Sequence, residues 1–113
     1  GAWAPTSPTL LCGGDADPTV FFALNTQIMA AFWSPLVQAG LITVLDVNGT
    51  PVGPFAALQT GFQESQAAQL AYYESAAGGS LSPAAAQQLI VENYHTSVAP
   101  FCTAAARAFF SQL

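Results

Sequence analysis

An α/β chain with two short parallel strands and four to five helices is the fold class this sequence predicts, on three observations. Two brief apolar runs are strand candidates: residues 8–12, bounded by proline and glycine as a strand buried on both faces is, and the β-branched run 41–47. A helical stretch over about residues 25–39 lies between them, so strand, helix and strand succeed one another as a βαβ unit with a right-handed crossover. Beyond residue 50 the chain turns to helical spacing rich in Gln and Ala.

Each element has its own local cause. Asp17-Pro18 can cap and begin a helical turn after the first strand. In the helix that follows, Leu24, Ile28, Met29, Phe32, Leu36 and Val37 share one side and are assigned to core packing, while Ser34-Pro35 kinks or restarts it. Gly40 suits a left-handed C-cap before the β-branched run 41–47. Asn48-Gly49 offers a hairpin with residues 50–52, which Pro51 and Pro54 oppose. A helical pair follows over 54–94, with Phe62, Gln66, Leu70 and Tyr73 or Glu74 in one stripe and Ala86, Leu89, Ile90 and Asn93 in the other. Ala77-Gly78-Gly79-Ser80 separates the two, and Ser82-Pro83 starts the second. A last helix is expected over about 98–112, with Pro100 in its first turn. Phe101, Cys102, Ala105, Ala106, Phe109, Phe110 and Leu113 make it apolar around most of its girth, so it must be buried on the sheet or on a partner. The chain is one domain or a fragment: a strand–helix–strand unit over 8–48, an inserted helical segment over 50–94, and a histidine loop with a closing helix over 95–113.

Composition narrows the function classes. Hydrophobic residues make up 52% of the 113 and charged ones 6%, against the usual charged share of about 25%, so much of the surface is expected to pack on something else or to be clad in Gln, Ser, Thr and Ala. With a net charge of −5 and Arg107 as the sole cation, binding to nucleic acid or to anionic lipid has no electrostatic support. Residues 19–45 carry one charge-free run after Asp17, but Asn25, Gln27, Ser34, Pro35 and Gln38 interrupt it and argue against a membrane span. The opening residues 1–8 are Pro-rich, without basic residues or an apolar core, and are read as the cut end of a longer chain rather than a signal peptide. Cys12 and Cys102 admit either a disulfide or two buried thiols; the even count and the absence of Lys suit an exported, secreted or periplasmic protein.

Chemistry is concentrated at one turn. The first apolar run stops at Gly13-Gly14-Asp15-Ala16-Asp17-Pro18, which puts a carboxylate at the carboxyl end of a strand, where open α/β sheets place their reactive groups. His95 is the only imidazole available to it. Residues 8–20, with Tyr94-His95 and a Phe-rich terminal helix, resemble the C-terminal third of an α/β-hydrolase. In that family a late core strand ends in Gly-x-x-Asp-x-x-Val bearing the triad acid, matched by Gly14, Asp17 and Val20, and the triad histidine precedes the closing helix, matched by His95. The likeness covers most of 8–48 and 93–113 and keeps the family order of acid before histidine.

The resemblance implies the C-terminal portion of a secreted bacterial-type serine hydrolase, an esterase or lipase acting on carboxylic esters, with a prolyl-oligopeptidase-like peptidase as a variant of the same chemistry. Asp17 would orient His95, and His95 would act as general base toward a serine. Two departures qualify the match. Residues 54–94 are an insertion near the site, a lid or substrate cap, and no Gly-x-Ser-x-Gly elbow is present, Gly78-Gly79-Ser80 falling between helices. The serine and oxyanion hole are therefore expected on a missing N-terminal hydrolase segment, the substrate is a small ester or lipid, and this chain alone is inactive. Asp15 and Asp46 are rival acids, and Glu92 is one turn from His95 and in reach of it. One His and two separated Cys do not make a structural metal site, and no cofactor is expected. Trp3, Trp33, Tyr72 and Tyr73 are available to packing or to an apolar acyl pocket. A competing reading is a non-catalytic helical protein-interaction domain; a third is a chain ordered only as a homo-oligomer, because a two-stranded sheet leaves a bare edge.

Overall fold

Two parallel strands carry the fold: β1 (Thr9–Gly13) and β2 (Ile42–Asp46) pair in register from Thr9 opposite Ile42 to Gly13 opposite Asp46. The computed structural model describes residues 5–17, 22, 25–38 and 40–113, apart from the side chains of 90 and 91. Between the strands runs α1 (Thr26–Trp33), in contact with both, and a 3-10 turn at Ser34–Leu36 where Pro35 interrupts the helix. A 3-10 turn at Gly53–Phe55 then leads into α2 (Ala56–Ala77) and α3 (Pro83–Ser111), which lie side by side. The mixed α/β character and the parallel strand pair agree with expectation at this coarse level; the described residues form three α-helices, fewer than the four to five expected.

Three further expectations are corrected. The first strand is not buried on both faces: every β1 residue is only half-buried, because a sheet of two strands is too narrow to be covered fully. The stripe assigned to the core stands largely in solvent, with Val37 alone of its described members half-buried. Ile28, Phe32 and Leu36 are 53%, 54% and 51% exposed, while Trp33 and Phe22 are buried instead, since so narrow a sheet covers only one side of the helix. Leu24 of that stripe, like Pro18 and Val20, lies outside the described residues.

The third correction matters most for function: there is no histidine loop. The second helix of the pair and the closing helix are one 29-residue helix, and His95 sits within it. Residues 93–97 hold helical geometry by bonding back to the helix itself: Asn93 Nδ2 donates to Leu89 O, and Thr96 Oγ1 and Ser97 Oγ both donate to Asn93 O. Pro100 removes one backbone donor without breaking the helix, because packing on both sides of it holds the line. Tyr94 and Val98 before it, and Ala105 and Phe109 after it, all enter the same core with Leu45, Val47, Phe55 and Phe62. Cys102, two residues past Pro100, is tied by a disulfide to Cys12 of β1.

The ends of these helices were legible. Ser82 Oγ accepts from Ala85 N at 3.2 Å with Pro83 in the first turn, and Gly78 closes α2 at φ 80°. The turn after β2 is closed by Gly49 N donating to Asp46 O, and no hairpin forms over 50–52. Gln59, buried on α2, fastens this turn: its Nε2 donates to Asp46 O and its Oε1 accepts from Val52 N. No helix among the described residues is long and apolar enough to cross a membrane.

Close approach, not backbone conformation, explains Gly14. A Cβ there would stand 2.8 Å from both the Tyr94 ring and its hydroxyl and 3.0 Å from Val98 Cγ2. Gly14→Ala must push α3 off the end of β1 and is expected to destabilise the fold by about 1–3 kcal/mol, the usual cost of overpacking. Urea titration checks it; an unchanged midpoint would show that the helix is free to move.

Candidate active site

The site is assembled where β1 runs out beneath the middle of α3. After Gly14 the chain makes a tight turn in which Asp17 N donates to Gly14 O at 3.1 Å. The turn is held from two sides. Ala16 N donates to the Tyr94 hydroxyl of α3 at 3.2 Å, and Asp15 N donates to Asp46 Oδ1 at the end of β2 at 3.1 Å. Asn48 completes the second brace, its Nδ2 donating to Asp15 Oδ1 at 2.8 Å and its backbone N to Asp46 Oδ1 at 3.0 Å.

So held, the turn delivers Asp17 to the histidine. Asp17 Oδ2 lies 2.7 Å from His95 Nδ1 across 78 residues of sequence. The two partners differ in exposure: the Asp17 side chain is 3% exposed and that of His95 46%. An ionised carboxylate only accepts, so with Asp17 in that form Nδ1 is the donor of this bond and Nε2 is the ring nitrogen turned toward a second group. A half-exposed imidazole, fixed in tautomer and orientation by a buried carboxylate, is the arrangement a general base requires.

The rival acids are placed elsewhere. Asp15 and Asp46 brace the turn and neither bonds the imidazole, and Glu92 accepts from Gln88 Nε2 one turn back along α3. Burial, with the neighbouring Asp15 charge adding to it, pushes the Asp46 carboxyl above the usual carboxylate range, against two backbone N–H bonds that lower it. Of the aromatic residues considered for an acyl pocket, Tyr73 lines a cavity between α2 and α3, Trp33 is buried, Tyr72 is exposed, and Trp3 lies outside the described residues. Ser80 sits between α2 and α3, as its sequence context indicates. No group of three His, Cys, Asp or Glu able to hold a metal occurs among the described residues.

Tyr94, which the sequence presents only as the neighbour of His95, is the residue of the site whose part the sequence does not show. Its ring meets Phe62 edge to face at 5.4 Å and fills the space Gly14 leaves, so one helical turn presents both His95 and the clamp on the Asp17 turn. Burial, ahead of the charges of Asp15, Asp46 and Asp17, raises the Tyr94 hydroxyl from 10.0 to about 12 despite the Ala16 N–H bond. Because the folded state holds this proton more tightly than the unfolded chain, the associated stability is intact below pH 10 and lost progressively between about pH 10 and 12. A loss of about 2–3 kcal/mol across that window is expected, and Tyr94→Phe should flatten it; an equally steep decline in the variant would assign the effect to another group.

Compared with protein-family models, with curated proteins and with solved structures, the chain matches none.

Proposed function

We propose that this chain supplies the acid and base of a serine hydrolase acting on carboxylic esters. The observation that carries the reading is the 2.7 Å bond from a buried Asp17 carboxylate to a half-exposed His95 imidazole at the carboxyl end of a parallel strand. His95 Nε2 takes the proton of a serine hydroxyl as its oxygen attacks the ester carbonyl, then returns that proton to the departing alkoxide. The serine belongs to a segment outside this chain, so the chain by itself hydrolyses nothing. Export fits the same reading, since a disulfide joins Cys12 to Cys102 and such bonds persist in oxidising compartments.

His95→Ala in the complete hydrolase is expected to abolish cleavage of p-nitrophenyl butyrate while the circular dichroism spectrum stays unchanged. Full activity in that variant would refute the assignment.

A second reading is favoured by a different observation, the uncovered apolar face of α1. Ile28, Phe32 and Leu36 form a stripe of the kind that binds another chain. In a hydrolase this face packs on the rest of the sheet; in an interaction domain it binds a separate partner and His95 is dispensable. Phe32→Asp would then remove partner binding, with His95→Ala silent.

A further inference from the structure

The seam between the outer halves of α2 and α3 is left unfilled. Gln66, Leu70 and Tyr73 of α2 recur at helical spacing opposite Ala86 and Leu89 of α3, and a partly open cavity of about 210 Å³ lies between them. Packed helix seams rarely leave a void larger than a water molecule. Here Ala67 and Ala86 stand where larger side chains would close the gap. Toward the hairpin tip a second cavity of about 430 Å³ shares Tyr73 and Leu89 with the first, so the two run in series along the helices. Gln66 Nε2 is buried at the inner end with no hydrogen-bond acceptor among the described residues, an uncommon state for a buried donor.

We propose that this seam binds a single linear acyl chain in neutral form, its tail along Leu70, Tyr73 and Leu89 and its carbonyl oxygen accepting from Gln66 Nε2 once the amide turns from its buried position into the seam. The shape selects an unbranched chain, because a groove between two side-by-side helices is long and narrow. The charges select an ester or amide over a free fatty acid. No cation lines either cavity and Glu92 borders the outer one, so a carboxylate head would be buried without a counter-charge. The seam is a site apart from the histidine. Asn93 lines it and His95 follows two residues later, about 200° further around the helix, so the proposal stands whether or not the hydrolase reading does.

Titration of the whole 113-residue chain with methyl octanoate, followed by amide NMR shifts, tests it. Saturable shifts confined to residues 66–77 and 81–93 are expected, with sodium octanoate binding at least tenfold more weakly. Ala86→Leu, and independently Ala67→Leu on the opposite wall, fill the seam and should reduce affinity at least tenfold without lowering the melting temperature. Gln66→Leu should weaken methyl octanoate several-fold. Absence of saturable shifts, unchanged affinity in either filled variant, or octanoate binding as tightly as its ester would overturn the proposal.

Discussion

Replacing both Cys12 and Cys102 with alanine is expected to remove about 4–5 kcal/mol of stability. The disulfide closes a loop with a sequence separation of 90, and the chain-entropy cost of such a loop in the unfolded state gives that magnitude. Domains of this size are stable by only about 5–15 kcal/mol, so the bridge decides whether the fold is robust or marginal. Core packing offers little to compensate: the sheet has two strands and the molecule is elongated, 53 × 29 × 18 Å, with much of α2 and α3 outside the common core. The urea midpoint of the double variant should fall by about 2 M or more. A fall under about 0.5 M would mean that the unfolded chain is constrained by something other than the bridge. The consequence reaches the site, because Cys12 is on the strand that leads into the Asp17 turn and Cys102 is on the helix that carries His95. The bond clamps together the strand and the helix that bring Asp17 and His95 within reach of each other.

What could be read from the residues follows how local each cause is. The strand runs, the Ser82-Pro83 helix start, the Gly78 stop and the Pro35 interruption all arise from a few neighbouring residues, and each stands where its chemistry puts it. The continuity of α3 does not. Pro100 argues locally for a fresh helix, and what overrides it is contact with β1 and with Phe55 and Phe62, partners that no spacing rule along α3 reveals. The α1 stripe failed for a related reason. Amphipathic spacing shows that a helix has an apolar side, but whether anything covers that side depends on how many strands the sheet has.

The site shows the same division. The order of acid and histidine and the Gly-x-x-Asp spacing single out Asp17 and His95, but that Asp15 and Asp46, at the same end of the sheet, brace the turn rather than meet the imidazole is shown only by the geometry. The clamping part of Tyr94 is not legible beside His95, because a tyrosine next to a histidine carries no spacing signal and the part rests on a close approach at Gly14 from 80 residues away.

Under the proposed function, Asp17→Asn is expected to lower ester hydrolysis by the complete protein about 10³–10⁴-fold while leaving the fold in place, the size of effect seen when a triad acid is made neutral. The amide is isosteric, so the loss comes from protons. The carboxylate can only accept and so holds the His95 proton on Nδ1, whereas an amide can turn its NH₂ toward the ring, making Nδ1 the acceptor and moving the proton to Nε2. An imidazole protonated there cannot take a proton from serine, and one without the carboxylate loses the charge that steadies the imidazolium. The tautomer is readable in this chain alone by ¹⁵N NMR of the ring: protonated Nδ1 with the Asp17 carboxylate in place, and a shift toward protonated Nε2 in the amide variant. Asp46→Asn is the matched control, since an amide oxygen still accepts from Asp15 N and Asn48 N and its neutral side chain relieves the repulsion from Asp15. Activity within tenfold of wild type and an unchanged tautomer in Asp17→Asn, or an equal loss in Asp46→Asn, would remove Asp17 from the role of acid.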